Sequence, residues 1–348
     1  MKSRGEALRD YVVRRLLLMI PTFIGITFVT FTLCQFVPGG VIDQMRLQLA
    51  GAGGQGEVGG GGGSRPQLTI PDDQLKQLNE YYGFDKPLPV AYVQWLGRTL
   101  TFDLGQSFRY NEPVLEVIAQ RLPVSTYYGV ITAFFVYAIS IPLGIVKAIR
   151  HRTTVDNLTS AVIFIGFAVP GFALGAVLVN ILAVQFQIFP LGGFQSPNAA
   201  ELSGFAKVTD VVWHSILPLI AYLIGAFAID TMLMKNSLME NMSADYVRTA
   251  LAKGLNWRRA VFVHALRNSL IPMATSIGSL LGIFLVGSFL IERVFNIEGV
   301  GLLGFEAIQS RDFPVVMGIL VISSVILMLG NLLSDLAVAF VDPRVRFE

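Results

Sequence analysis

The stretch Asp245-Tyr246-Val247-Arg248-Thr249-Ala250-Leu251-Ala252-Lys253-Gly254-Leu255 sits between two membrane-length apolar runs, yet it is neither lipid-like nor low in complexity. It reads as a short docking helix on the cytoplasmic side of a membrane protein. Asp245, with Ser243, is placed to cap its start and Gly254 to end it, and Asn256 to cap a second helix beginning at Trp257. Val247, Ala250 and Gly254 share one helical face at i, i+3 and i+7. Residues this small would let another protein's backbone come close. A helix lying flat on lipid would need a wide apolar face, which this segment lacks. The charges of the surrounding loop, 230-269, are of mixed sign, which argues against simple attraction to anionic headgroups.

Outward from this helix the chain is apolar. Of 348 residues, 53% are hydrophobic and only 14% charged, where a soluble domain keeps about a quarter charged. Crossing a bilayer core takes roughly 20 helical residues. Uncharged runs of that length occur at 16–37, 122–146, 157–200, 211–229, 270–291 and 313–334. Six spans are therefore expected. The third run is long enough for two. Pro190-Leu191-Gly192-Gly193 reads as an exit turn, so one helix over about 158–186 followed by an apolar loop is expected there. A second helix would give seven spans and put the termini on opposite sides.

Charge distribution tests the count, because Lys and Arg in short loops favour the cytoplasm. With the N-terminus inside, the inner segments hold 16 of the 26 basic and 9 of the 24 acidic residues, for a net +7 inside against −5 outside. Six spans with both termini cytoplasmic fit this bias. The first run exceeds a signal-peptide core in length, and Thr30-Phe31-Thr32-Leu33 lacks the small residues of a cleavage site. It is read as a span. Cys34 is the one cysteine, which excludes an internal disulfide and a cysteine-based zinc site, and it is read as a packing residue.

The chain thus divides into 1-37, the N-terminus and first span; 38-121, a long polar segment; and 122-348, a helical core with five further spans. Within the polar segment, 51-63 holds nine glycines and reads as a flexible insert. From Pro71 to Arg121 the aromatics Tyr81, Tyr82, Phe84, Tyr92, Trp95, Phe102, Phe108 and Tyr110 alternate with charges, as in a small extracytoplasmic subdomain of short helices. Such aromatics either anchor at the lipid interface or contact a partner protein.

Enzyme motifs fail on context. G-x-G-x-x-G matches within the glycine tract, from Gly51, and at Gly299 lack the strand and helix that a dinucleotide site requires. There is no Gly-Lys dipeptide for a Walker A loop, no H-E-x-x-H among His151, His214 and His264, and no G-x-S-x-G. ATP hydrolysis, if used, belongs on another chain. Polar residues inside spans are functional candidates by default, and Asn180, Gln185, Gln187 and His214 are the candidates for a pathway. Each also has an ordinary explanation in helix packing or at the interface. Pro142, Pro170, Pro218 and Pro272 are candidate kinks.

Asp245 to Gly254, followed by His264-Ala265-Leu266-Arg267-Asn268 and Ile271-Pro272, resembles the cytoplasmic signature loop of ABC-importer permeases of the oligopeptide and dipeptide class. Gly83-Phe84-Asp85-Lys86-Pro87, Phe102-Asp103-Leu104-Gly105-Gln106-Ser107, Phe295-Asn296-Ile297-Glu298-Gly299-Val300-Gly301, Arg311-Asp312-Phe313-Pro314 and Asp342-Pro343-Arg344-Val345 are similar to the first permease subunit of that class. The resemblance spans all but the glycine tract. The long first external loop and the Thr231–Ser237 segment are most similar to the branch that imports oligopeptides and microcin C. Where the wider superfamily has Glu-Ala-Ala, this chain has Arg248, Thr249 and Ala250, and Arg267 stands where proline is frequent.

The resemblance implies a type I ABC-importer permease fold, all-α with six transmembrane helices, in a bacterial cytoplasmic membrane. It implies as partners a second homologous permease, ABC ATPase subunits that carry ATP and Mg, and an extracytoplasmic peptide-binding protein. Peptide would be the substrate, lipid the surroundings, and no nucleic acid is involved. No cofactor or metal is implied for this chain itself. The 245-255 helix would contact the ATPase through Asp245, Tyr246, Val247, Arg248, Thr249, Ala250, Lys253 and Gly254. A nickel or other small-solute importer is the alternative within the class. A secondary carrier would need a coupling-ion site, and the sequence shows no membrane-centred charge pair. A membrane-integral enzyme would need a nucleophile, a metal cluster or paired carboxylates at a plausible depth.

Overall fold

The computed structural model describes residues 4–36 and 86–341. The glycine-rich insert, Tyr81, Tyr82, the Gly83–Asp85 portion of the first external motif and the Asp342–Val345 motif lie outside the described residues. Among the described residues there is no β-strand, only an isolated bridge between Gln106 and Pro113. The helices are α1 (Arg4–Phe36), α2 (Leu88–Leu100), α3 (Val114–Ile149), α4 (Thr154–Ala168), α5 (Gly171–Leu178, continued by a π-helical turn over Val179–Gln185) and α6 (Gly204–Ser243). They continue with α7 (Asp245–Ala252), α8 (Trp257–Arg259), a second π turn over Ala260–Ala265, α9 (Leu266–Ser269), α10 (Ile271–Val286), α11 (Phe289–Val294), α12 (Val300–Gln309) and α13 (Phe313–Val341).

Among the described residues, four helices, or five spans with one bent pair included, are long and apolar enough to cross a membrane. They are α1 from Arg9, α3, α6 and α13, and the pair α4–α5. Their outer faces carry large apolar side chains such as Leu17, Ile20, Leu33, Phe134, Ile165 and Leu333, all more than half exposed. That surface suits hydrocarbon, where every backbone polar group must be satisfied within the helix. The fifth expected span, within 270–291, corresponds to α10, whose 16 residues are fewer than a full crossing takes.

The third apolar run differs from its expected form. Instead of one continuous helix over 158–186, α4 and α5 meet at 89°. Val169 is extended (φ −91, ψ 119), as the residue before a proline tends to be, and Pro170 has no N–H with which to continue the helix. Beyond the bend, a Cβ on Gly171 would stand 2.3 Å from the Ala221 carbonyl oxygen, so α5 lies against α6 at a distance that only glycine allows. The other prolines behave differently: Pro142 and Pro218 lie within α3 and α6, and Pro272 lies in the first turn of α10, where a missing N–H costs nothing.

The chain forms two compact units. One comprises Arg121–Leu302 with the two chain ends, Met1–Leu18 and Val325–Glu348. Its core joins Tyr128, Leu217, Ala221, Tyr222, Ile291, Phe295 and Ile297. The expected exit turn packs onto this core, with the Gly193 N–H donating to the Phe295 carbonyl at 2.7 Å. A second cluster gathers Ala148, Met234, Leu238, Val247, Ala260, Val261, Ala265 and Met273.

The other unit comprises Met19–Gln120 and Leu303–Ser324. Here Tyr92, expected at a lipid interface or on a partner, is only 6% exposed. Its hydroxyl donates to the Ile24 carbonyl at 3.0 Å and lies 2.9 Å from Thr27 Oγ1, and its ring meets Phe31 edge-on. Tyr92 thus ties α2 to α1. Two of the motifs quoted above also converge in this unit: Ser107 Oγ donates to Asp312 Oδ2 at 2.5 Å, and Arg109 pairs with Glu306 at 3.0 Å.

Candidate functional site

Helix α7 forms where α6 stops. Ala244 is extended (φ −70, ψ 150) and is the N-cap, with no side-chain cap bond. The expected capping by Asp245 or Ser243 is not seen. Ser243 Oγ instead donates to the Glu240 carbonyl at 2.8 Å. Asp245 is the first helical residue, where a carboxylate favours the positive end of the helix dipole, and Arg248 lies 3.6 Å from it on the surface. Lys253 is the C-cap, and Gly254 follows at φ +87 with nothing within 4 Å of a hypothetical Cβ. Within its own chain Gly254 is therefore required for its backbone conformation and not for space. Asn256 caps α8 as expected, its Oδ1 accepting from the Arg259 N–H at 2.8 Å.

Of the face expected to dock, Val247 is turned into its own chain, Ala250 is half-buried and Gly254 is exposed. Val247 is 2% exposed and is the one buried residue of α7. It packs among Met234, Leu238, Ala260, Val261 and Ala265 of its own chain, so it anchors the helix instead of presenting it. Burying one such side chain is worth about 1.5–3 kcal/mol. Ala250 is half-buried, and Asp245, Tyr246, Arg248, Thr249, Leu251, Ala252, Lys253 and Gly254 are exposed. The outward surface is therefore polar and mixed in charge. Tyr246 is steadied by donating to Asn241 Oδ1 at 2.6 Å.

The apolar-run reading placed Lys147, Asp156 and Lys235 in polar connections. In the structure they are buried together. Helix α6 carries Lys235 on past residue 230 to Ser243, so the first third of the segment 230-269 is helix and not loop. Lys235 Nζ lies 2.7 and 2.8 Å from the two carboxylate oxygens of Asp156. Lys147 Nζ lies 3.0 Å from Asp156 Oδ1. It donates to the Asp156 carbonyl at 3.0 Å, Thr159 Oγ1 at 3.0 Å and Ser160 Oγ at 2.7 Å. The Arg152 N–H and His151 Nδ1 complete the surroundings of Asp156 Oδ2 at 3.1 and 3.2 Å. Partners 79 residues apart leave no local signal, and the only hint was three charges at the edges of apolar runs.

Of the pathway candidates, the structure joins two. Gln185 Nε2 donates to Asn180 Oδ1 at 3.1 Å. Both line a groove of about 410 Å³ with Ala176, Val177 and Ile181. They lie on the π-helical turn, a distortion frequent at functional sites. Gln187 is exposed beyond the end of this turn at φ +52. His214 is occupied within its own helix, its Nδ1 2.9 Å from the Asp210 carbonyl. Neither lines the groove.

The second glycine match has a different role from phosphate binding. Glu292 is 1% exposed. A Cβ on Gly287 would stand 2.1 Å from its Oε1, and one on Gly299 would stand 2.5 Å from its carboxyl carbon. The Leu302 N–H donates to Oε2 at 2.6 Å. These glycines wrap a carboxylate of their own chain. Burial pushes the Glu292 carboxyl up to about 7, against the opposing pull of the Leu302, Gly301 and Ser288 N–H groups. Among the described residues no group of three or more His, Cys, Asp or Glu side chains is arranged to hold a metal ion.

A family model described as the binding-protein-dependent transport system inner membrane component matches residues 140–347. The chain belongs to this family. The match begins within α3 and includes α7, the ion cluster, the Asn180–Gln185 groove and Glu292. Among relatives of this transport family, the peptidoglycan transport system permease protein YejB of Agrobacterium fabrum is 40% identical over 357 residues, covering 97% of this chain and 98% of that protein. The inner membrane ABC transporter permease protein YejB of Escherichia coli O157:H7 is 38% identical, covering 97% and 99%. The oligopeptide transport system permease protein AppB of Bacillus subtilis is 33% identical, with the same coverage of 97% and 99%. The resemblance to peptide-importer permeases drawn from the motifs is thus borne out. The chain is a multi-pass inner-membrane permease subunit of a binding-protein-dependent importer.

Proposed function

We propose that this permease imports oligopeptides or peptide-like compounds, and that α7 is where ATP-driven motion enters it. The observation that carries the reading is α7 itself: a short, polar, outward-facing helix held to the membrane core by Val247. Its exposed residues, Tyr246, Arg248, Thr249, Leu251 and Lys253, present the surface to an ABC ATPase that binds ATP and Mg. The proposed topology has six transmembrane helices, with α10 as the short fifth and the bent α4–α5 pair as the third. Both termini and α7 then lie in the cytoplasm, in keeping with the Lys and Arg bias. A second, homologous permease completes the pathway, and the Asn180–Gln185 groove faces it. An extracytoplasmic binding protein delivers the substrate on the other side.

Transport requires that α7 bind the ATPase differently in the inward- and outward-facing states, since a contact equal in both would shift nothing. The substrate class rests on the peptide-importer motifs and on the transport functions for which the relatives are named. The name of the Agrobacterium relative favours a second reading, in which the peptides come from peptidoglycan. Affinity purification from the native membrane in mild detergent tests the assembly. Recovery of a second permease, an ATPase and a binding protein is expected, and recovery of this chain alone under nucleotide-trapping conditions would refute it. Uptake of a labelled oligopeptide, competed by murein peptides or by nickel, separates the substrate readings.

A further inference from the structure

Docking of α7 does not by itself require two lysines and an aspartate to be buried where α3, α4 and α6 meet. Burying charge is costly, and apolar replacements of buried ion clusters are often neutral or stabilising. Stability alone is therefore a poor account of this cluster, and its asymmetry points elsewhere.

Lys147 is bound many times over. Its ammonium meets the Asp156 carboxylate and carbonyl and the hydroxyls of Thr159 and Ser160, all on α4. Its side chain is fully buried. Lys235 meets one group, the Asp156 carboxylate, through both oxygens. Its side chain is 11% exposed. If Lys235 withdraws, Asp156 still has Lys147, the Arg152 N–H and His151. The α3–α4 hairpin can therefore lose α6 at this point and keep every other bond. The reverse does not hold, because withdrawal of Lys147 would break its bonds to Thr159 and Ser160 as well.

The placement of Lys235 connects it to α7. It lies in the last turns of α6, which run through Ala244 directly into α7. Its neighbours Met234 and Leu238 pack in the same cluster as Val247. Next to Lys235, α3 comes against α6 so closely that a Cβ on Gly144 would stand 2.6 Å from Met234 Cβ. That contact holds α3 and α6 together beside Lys235, independently of the Lys235–Asp156 pair. Asp156 sits in the first turn of α4, which leads through the Pro170 bend to the Asn180–Gln185 groove.

We propose that the Lys235–Asp156 pair is a breakable latch between the α6–α7 arm and the α3–α4 hairpin, closed in the conformation described here and opening during the transport cycle. Lys235 is then a positioning residue that makes ATP turnover conditional on the state of the pathway, whereas Lys147 is a permanent fastening. This rests on the proposal that α7 receives the ATPase.

The test uses the complete importer, with both permeases, ATPase and binding protein, in proteoliposomes, and measures ATP hydrolysed per peptide imported. Lys235→Met is expected to raise that ratio by about tenfold, within the range of ordinary coupling energies, and to release hydrolysis from its dependence on the binding protein. Lys235→Arg, which keeps a two-oxygen contact, is expected to restore most of the coupling. Lys147→Met is expected to lower the amount of assembled protein without changing the ratio in what survives. A Lys235→Met importer that keeps the wild-type ratio, or a chain that fails to reach the membrane, overturns the latch. A wild-type assembly in which α7 makes no contact with an ATPase overturns the docking proposal and the latch with it, and is recognised before any variant is made.

Discussion

Val247 holds α7 to the rest of the chain, so shortening it should loosen α7 selectively. Val247→Ala removes two methyl groups from a site that is 2% exposed and lined by Met234, Leu238, Ala260 and Val261. At about 0.8 kcal/mol per buried carbon the transfer loss is about 1.6 kcal/mol, and a partly collapsed cavity brings the total to about 2 kcal/mol. Because Val247 is the only buried residue of α7, this falls largely on docking of the helix and not on global folding. The ratio of docked to undocked helix should drop by about 30-fold. Hydrogen exchange reads this directly, since locally opened segments exchange in proportion to the open population. Amides of α7 should exchange about 30-fold faster in Val247→Ala, while those of α3 and α6 away from the cluster stay unchanged. Thr249→Ala, an exposed position on the same helix, should leave exchange within about twofold of wild type. If α7 amides in Val247→Ala exchange at the wild-type rate, Val247 is not the anchor and the assignment of the helix's two faces is wrong.

Gly254→Leu forces a branched side chain into a left-handed conformation at φ +87, at a cost of about 1–2 kcal/mol. Peptide uptake should be lost while membrane insertion, followed by immunoblot of the membrane fraction, is unchanged; uptake at the wild-type rate would sink the claim. At Gly278 an added Cβ would stand 2.0 Å from the Gly330 carbonyl oxygen, so Gly278→Ala must push the backbones of α10 and α13 apart. Its thermal midpoint in detergent should fall, and an unchanged midpoint would show that these helices are not held this closely. Glu292 binds its proton more tightly when folded than when unfolded, so its contribution to stability falls as pH rises from about 4.5 to about 7 and is level outside that window. Glu292→Gln should remove that part of the pH dependence, and a thermal-stability profile between pH 4 and pH 8 that matches wild type would exclude a buried, proton-holding carboxyl.

Apolar run length, charge bias and motif spelling by themselves determined much of this protein. They indicated an all-helical membrane chain, a short helix starting at Asp245 and ended by Gly254, the Asn256 cap and membership of the peptide-importer permeases. Each of these signals is local or additive along the chain, and so it survives in a linear reading. Tertiary structure alone decided which way α7 faces, because a valine at i and an alanine at i+3 fit an outward contact and an inward anchor equally well. It also decided that the third run bends by 89° at Pro170, since a proline within an apolar run can be accommodated, as Pro142 and Pro218 are, or can break the helix, depending on what packs beside it. The Lys147–Asp156–Lys235 cluster and the glycine cradle of Glu292 were illegible for the same reason. A lysine at the edge of an apolar run looks like a loop charge until a carboxylate 79 residues away is brought within 2.7 Å, and only the packing of three helices brings it there.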